Sequence, residues 1–383
     1  MRMQKKPFKS LLECKDLKGK YVFLRASLNV PIVDGEVHNQ FRITRGMATV
    51  QHLVNQGARV IIAGHVGSDG SASMQPVADI FAQQVPVVFS GEVLGTKTTK
   101  LRDELADGEV LVLENLRSNP GEKKNDSDFA QALASLADVY VNDAFAAAHR
   151  EHASLSAITQ FLPSYVGFNF AHEYEELTKA RTPLHPALFL LGGAKFDTKI
   201  PLVEKFLDIY DTIFIGGALA NDFFKAKGFE VGTSLVSDVS LAGSSLLNNK
   251  KIVLPIDLVV EKDGVSRITS PEEVRVDEKI LDAGPDTVTM LDGYITQAKM
   301  VLWNGPFGDY EQGFEEQTLA TAKLIAAADG YSVIGGGDTV AAIESLCCQE
   351  KYNFLSTAGG AMLTFLELGT LPAIEAMKNA PNA

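Results

Sequence analysis

The chain has 383 residues, 46% of them hydrophobic and 22% charged, and a formal net charge of -13 at pH 7. That length suits two or three soluble domains. The acidic balance argues against nucleic acid as a partner, and no apolar run is long enough to span a bilayer. Three cysteines, Cys14, Cys347 and Cys348, give neither a disulfide framework nor a zinc spacing. The adjacent pair is expected in a helix rather than at a metal. The basic start has no apolar stretch after it, so a reduced, cytoplasmic setting is expected.

In chain order, short apolar runs at 21–24, 60–63, 110–113 and 139–141 alternate with longer segments. A second series follows at 187–191, 212–215, 251–254, 300–303 and 331–334. Amphipathic stretches lie between them, at 47–56, 128–136, 201–209 and 315–328. Continuous apolar strands alternating with helices predict parallel sheets covered on both faces. The polar segment 234–249 reads as part helix, part surface loop. Residues 173–180 read as an exposed helix ended by Arg181-Thr182-Pro183-Leu184-His185-Pro186. The expected fold class is therefore α/β, with two doubly wound, Rossmann-like parallel-sheet domains joined by a helix. The expected boundaries are 1–168, a linking helix at 169–182, 183–364, and a C-terminal segment at 365–383.

Most strands end in a glycine or a polar turn, where open α/β sheets place their ligands. In the first half these ends carry Arg25, His65, Arg117, and His149 with Arg150, and Arg42 follows the first strand. Guanidinium forks suit carboxylates and phosphates. His149 and His152 have metal-ligand spacing but no evident third ligand, so a structural pair is expected. In the second half, Gly192-Gly193-Ala194-Lys195 follows a strand, and Lys195 and Lys199 share one helix face. Paired ammonium groups make sense beside a polyanion. Gly216-Gly217, Asn304-Gly305-Pro306 and Ser356-Thr357 are further strand ends. Gly335-Gly336-Gly337-Asp338-Thr339 opens a helix, whose free N–H groups attract anions. Asp338 and Thr339 could cap that helix or hold a metal on a phosphate. Neither the Walker A pattern nor G-x-G-x-x-G occurs, which disfavours a dehydrogenase.

These segments, in this order, resemble phosphoglycerate kinase across essentially the whole chain. The matching stretches are Asn29-Val30-Pro31, Leu113-Glu114-Asn115-Leu116-Arg117 with Pro120-Gly121-Glu122, 138–145, and Ala148-His149-Arg150. Gly192-Gly193-Ala194-Lys195, Trp303-Asn304-Gly305-Pro306, 335–339 and Ser356-Thr357 continue the series. The resemblance implies a bilobal kinase with 3-phosphoglycerate or 1,3-bisphosphoglycerate on the first domain and Mg-ATP or Mg-ADP on the second. Asn29, Arg42, His65, Arg117 and Arg150, with Ser27, would hold the phosphoglycerate. Gly193, Lys195, Lys199, Gly217, Asn304, Glu311, Gly335, Gly336, Gly337, Asp338 and Thr339 would meet the nucleotide. Lys195, Arg42, Gly336 and Gly337 would act on the moving phosphoryl, and Asp338 would orient Mg2+. The last helix would pack back on the first domain, and the enzyme is expected to be a monomer that closes on its ligands.

The sequence departs from the family pattern at several of these positions. Ser27 replaces an aspartate and Ser68 an arginine; Ala146-Ala147 and Thr198 are also unusual. Ala218 and Ala358 replace glycines, where a Cβ could block close approach or a positive φ. Three readings stay open: an active but divergent phosphoglycerate kinase, a kinase of that fold for another carboxylate, or a non-catalytic nucleotide-binding paralogue.

Overall fold

A computed structural model describes residues 6–194, 196–238, 241 and 243–381. Contacts divide the chain into two compact units, Met1–Glu175 with Thr370–Ala383, and Glu176–Gly369. The division falls inside a helix, Phe168–Arg181.

The first unit is built on a parallel six-stranded sheet of β1 (Tyr21–Ala26), β2 (Arg59–Ala63), β3 (Val87–Phe89), β4 (Val110–Val112), β5 (Val139–Asp143) and β6 (Ser164–Val166). Their spatial order is β3-β4-β2-β1-β5-β6. Alternate residues of each strand enter different cores. Val22, Leu24, Val60, Ile62, Val110, Val112, Val139 and Val141 fill one. Phe23, Ile61, Leu111 and Tyr140 fill the other. With both faces buried, the strands read as unbroken apolar runs, which is why the sequence pattern reveals them. Helices Phe41–Asn55 and Gln75–Ala82 contribute to the first core, and Ser127–Ala134 to the second. Helix Pro372–Lys378 belongs to this unit: the Ala373 N–H donates to the Ala148 carbonyl at 3.1 Å, and Thr159 Oγ1 to the Ala376 carbonyl at 3.2 Å.

In the second unit the main sheet comprises β7 (Ala187–Leu191), β8 (Thr212–Ile215) and β9 (Ile252–Val253), together with β13 (Met300–Asn304), β14 (Tyr331–Gly335) and β15 (Phe354–Leu355). Its order is β9-β8-β7-β13-β14-β15, again all parallel. Between β9 and β13 lies an antiparallel sheet of β10 (Leu258–Lys262), β11 (Val265–Thr269) and β12 (Lys279–Ala283), in the order β11-β10-β12. The pattern of parallel runs does not announce this sheet. The chain alternates exposed and buried residues there, because one face covers the small core of Phe224, Leu258, Val260 and Val274.

Two further departures from the sequence expectations have local causes. Helix Phe196–Phe206 begins within the Lys195–Lys199 stretch, where a helix start is expected, but ends at 206, short of the amphipathic stretch's 209, and Pro201 lies inside it. Helix Gly337–Ser345 stops before the cysteine pair: Cys347 adopts φ 49° just past the end, so the two cysteines are not helical. Among the described residues no helix is long and apolar enough to cross a membrane.

Buried carboxylates tie the helix starts of the second unit to the antiparallel sheet. Asp257 accepts hydrogen bonds from the amides of Asp286 (3.0 Å) and Thr287 (2.7 Å) and from Thr287 Oγ1 (2.6 Å), which caps helix Pro285–Gln297. Asp282 accepts from the amides of Ala283 (2.8 Å) and Gln317 (3.2 Å), the latter in the first turn of helix Glu316–Ala327. Burial pushes the Asp282 carboxyl up to about 7, against the pull of those two amides and with help from the Glu316 charge.

Asp257→Ala leaves the Asp286 amide and the buried Thr287 amide without their acceptor. It is expected to cost about 2 kcal/mol in urea unfolding, with the midpoint shifted and the slope unchanged. For Asp282 the folded value lies above the ordinary carboxylate value of about 3.9. Its stabilising contribution is therefore full at acid pH and is lost as pH rises towards 7. Asp282→Asn removes this slope, so unfolding at pH 5 and pH 8 should show the variant gaining on the wild type by about 2–3 kcal/mol over that range.

Candidate active site

Parallel pairing in register aligns the carboxyl ends of neighbouring strands. In the first unit Arg25 of β1 stands opposite Ala63 of β2 on one side and Asn142 of β5 on the other. The turns leaving β1, β2, β4 and β5 therefore emerge together, carrying the cations that the sequence scatters over more than a hundred residues. Arg25 is fully buried, with Nε donating to Ser154 Oγ (2.9 Å), Nη1 to the Ala26 carbonyl (2.6 Å) and Nη2 meeting His65 Nδ1 at 3.1 Å.

Charge confirms the clustering. Burial first, then the positive charges of Arg25, Arg117 and Arg150, drive the His65 imidazole far below its ordinary value. His65 is thus neutral throughout the physiological range. Burial also lowers Arg117, assisted by Arg150 and Arg25. These cations lie close enough to disfavour one another's charged forms, with the buried Glu122 carboxylate opposing the effect. Arg117 Nη1 donates to the Gly67 carbonyl at 2.6 Å, whereas its buried Nε has no protein partner. Buried His149 Nδ1 likewise has none.

Asn29 and Arg42 act on the same turn. Asn29 Oδ1 accepts from the Gly67 amide (2.9 Å), and Arg42 Nη1 donates to the Asn29 carbonyl (2.7 Å). Ser27 is half-buried one residue beyond β1. At Ser68 the missing arginine side chain is answered from another element: Lys123 Nζ donates to the Ser68 carbonyl at 2.6 Å. Arg25 thus meets His65 directly and the charges of Arg117 and Arg150 act on His65, while Asn29 holds the 65–68 turn at Gly67 and Arg42 holds Asn29. Glu122 and Ser154 lie beneath this cluster, and sequence reasoning did not single them out as site residues; a glutamate and a serine far apart in the chain carry no signal of their meeting.

In the second unit the ends of β7, β8, β13 and β14 are packed so closely that only glycine fits. Gly193 donates to the Pro306 carbonyl (2.9 Å), and Gly192 to that of Asn304 (3.0 Å). Gly217 has φ 63°, and a Cβ there would lie 2.5 Å from the Gly193 nitrogen. Gly336 has φ 102° and precedes helix Gly337–Ser345, whose Thr339 Oγ1 accepts from the Gly305 amide at 3.1 Å. Buried Asn304 lies opposite Gly335 in the β13–β14 register. Lys199 is buried and its Nζ donates to the Gly192 carbonyl, at the same glycine turn. Asp338 is exposed in the first helical turn.

Glu311 is exposed on a single turn, Tyr310–Gln312, apart from the glycine cluster in sequence. That turn is seated on β12 by the Asp309 amide, which donates to the Leu281 carbonyl at 2.8 Å, and by Lys279 at 3.6 Å from Asp309. Lys195, and the side chains of Asp197 and Thr198, lie outside the described residues. Ala218 and Ala358, where a Cβ was expected to interfere, both have ordinary negative φ. Glycines 217 and 359 next to them take the positive values instead. Among the described residues no group of three or more His, Cys, Asp or Glu could hold a metal ion.

A family model for phosphoglycerate kinase matches residues 12–368. The phosphoglycerate kinase of Azorhizobium caulinodans is 40% identical over 393 aligned positions, covering 97% of this chain and 99% of the relative. That of Clostridium beijerinckii is 39% identical, with 97% and 99% covered. Among solved structures, the phosphoglycerate kinase from Coxiella burnetii superposes with a TM-score of 0.82 at 34% identity, covering 97% of this chain and 99% of the other. That from Pyrococcus horikoshii gives 0.84 at 29% identity, over 97% and 98%. With a family match running nearly end to end and strand ends carrying the same motifs, the chain belongs to the phosphoglycerate kinase family.

Proposed function

We propose that the chain transfers a phosphoryl group reversibly between 1,3-bisphosphoglycerate and ADP, giving 3-phosphoglycerate and ATP, in the cytoplasm and as a monomer. The observation that carries this reading is the cluster of mutually repelling cations at the strand ends of the first unit, in a protein of net charge -13. An acidic protein that concentrates cations so tightly is built for a small anion. Arg117 and Arg150, with Asn29, Arg42, His65 and Ser27, hold the phosphoglycerate. The orphaned Arg117 Nε supplies a donor that a phosphate oxygen satisfies.

On the second unit, Gly193, Gly217, Gly335, Gly336 and Gly337 let the nucleotide phosphates approach the backbone. The free amides of the helix start, with Thr339, meet their oxygens. Lys199 and Lys195 add positive charge, with Lys195 following the transferring group. Asn304 and Glu311 lie at the nucleoside end. The residues fit a magnesium nucleotide, because magnesium takes one or two carboxylates and completes its shell with phosphate and water. Exposed Asp338 at the phosphate-binding helix start is such a carboxylate. A magnesium ion held there would supply neutralisation of the nucleotide's phosphate charge. The acceptor carboxylate is already a nucleophile, so no general base is required. Residues Arg42, Lys195, Gly336 and Gly337 serve alignment and charge neutralisation. In-line transfer demands that the two ligands meet with water excluded.

A coupled assay with 3-phosphoglycerate and Mg-ATP tests the reading directly. Saturable turnover is expected. Nucleotide binding in calorimetry without turnover would replace it by a non-catalytic role, and turnover with a different carboxylate alone would change the substrate. Lys195→Ala should lower kcat by on the order of 10²–10³ with little change in phosphoglycerate affinity. Gly337→Ala separates fold from phosphate binding. A Cβ at this position meets nothing within 4 Å. The variant should keep its stability within about 0.5 kcal/mol. Its added methyl group obstructs oxygens approaching the helix start, raising the nucleotide KM about tenfold while sparing the phosphoglycerate KM.

A further inference from the structure

Beneath the cationic cluster runs an unbroken chain of buried hydrogen bonds. Glu122 Oε1 accepts from Ser154 Oγ at 2.6 Å, and Oε2 accepts from the Ser154 amide at 3.0 Å. Ser154 Oγ accepts from Arg25 Nε at 2.9 Å, and Arg25 Nη2 meets His65 Nδ1 at 3.1 Å. None of the four residues is more than 6% exposed. The Ser154 carbonyl is fixed in turn by Tyr140 Oη at 2.8 Å.

Every proton in this chain has a determined place. A guanidinium can only donate. Ser154 Oγ, which accepts from Arg25, must therefore send its own proton to Glu122. His65 Nδ1, which faces another guanidinium N–H, must accept, and its ring proton is left on Nε2. We propose that Glu122, Ser154 and Arg25 are positioning residues that fix His65 as the Nε2–H tautomer, so that this ring donates a directed hydrogen bond to the phosphoglycerate. The proposal rests on His65 belonging to the phosphoglycerate site.

The charges around the chain support this assignment. Burial alone would raise the Glu122 carboxyl. The nearby His152, 3.7 Å away, the Arg25 charge and the hydrogen bonds from Ser154 outweigh it and hold the group below the usual carboxylate range. Glu122 therefore stays ionised and balances Arg25 inside the unit. That leaves Arg117 and Arg150 as the cations facing the substrate. His65, neutral and oriented, contributes direction rather than charge. Without an acceptor for the Ser154 proton, Ser154 Oγ would be free to turn its hydrogen towards Arg25, and the guanidinium would lose its anchor opposite His65.

The test combines nitrogen-15 NMR of the imidazoles with steady-state kinetics on the full chain. His65 resonances are assigned by loss of signal in His65→Gln. In the wild type at pH 7, His65 should show a protonated Nε2 and an unprotonated Nδ1. Ser154→Ala and Glu122→Gln should give a mixture of tautomers. They should also raise the phosphoglycerate KM about tenfold, with kcat and the nucleotide KM within about twofold, as expected for the loss of one directed hydrogen bond. Ser154→Thr, which keeps the hydroxyl, should restore both readouts. A wild-type ring protonated on Nδ1, or doubly protonated at pH 7, overturns the proposal. So do variants that fold but leave tautomer and KM unchanged. Should Glu122→Gln fail to fold, Ser154→Ala and the wild-type spectrum still decide the matter. Absence of phosphoglycerate turnover in the wild type would count against the proposed function, whereas the tautomer is read without turnover.

Discussion

Parallel strands in register impose the constraint from which both half-sites follow. Hydrogen-bonded neighbours running the same way must release their chains at the same edge of the sheet. Arg25 between Ala63 and Asn142, and Asn304 between Leu191 and Gly335, are direct consequences of that pairing. The edge of the first sheet is occupied by long cationic side chains, and that of the second by glycine turns with exposed amides. On the proposed function, the same backbone geometry would serve two kinds of anion recognition, one by guanidinium forks and one by main-chain donors.

The glycine edge has a strict steric logic. The Gly192-Gly193, Gly216-Gly217 and Gly305-Pro306 turns lean on one another, main chain against main chain. A Cβ at Gly192 would lie 2.2 Å from the Pro306 carbonyl oxygen, and one at Gly305 2.5 Å from that of Gly192. These glycines are required by their mutual packing before any ligand arrives. Gly337 differs, with open space at its missing Cβ, so packing within the chain does not require a glycine there.

Much of this was legible in the chain because buried parallel strands print themselves as apolar runs. Residues 21–24, 60–63, 139–141, 187–191, 300–303 and 331–334 fall within strands of the structure. Shorter strands such as Val87–Phe89, Ser164–Val166 and Phe354–Leu355 escaped, since two or three residues give no periodicity. The antiparallel sheet of β10–β12 escaped because its exposed face dilutes the hydrophobic signal. Individual cations at strand ends were visible, but their convergence depends on strand order, which no local pattern encodes. Glu122 and Ser154 acquire meaning only through a contact spanning 32 residues. The positive-φ part of the concern over Ala218 and Ala358 is answered locally. The chain places its positive φ at Gly217 and Gly359, one residue away in each case, so the alanines sit in unstrained backbone.

Charge placement gives the departures at Ser27 and Ser68 a coherent setting. Losing an aspartate and an arginine from one site removes one charge of each sign and leaves the sum unchanged. The 65–68 turn does not go without cationic support, because Arg117 and Lys123 donate to its successive carbonyls at Gly67 and Ser68. A flexible ammonium on a neighbouring element lacks the fork of a guanidinium, so it neutralises an anion without dictating its orientation. Orientation must then come from groups whose own positions are fixed. In the first unit those are Asn29, locked between the Gly67 amide and Arg42, and His65, locked by the buried Arg25. Of these hydrogen bonds, the one from Arg25 to His65 is buried, so water and salt screen it least.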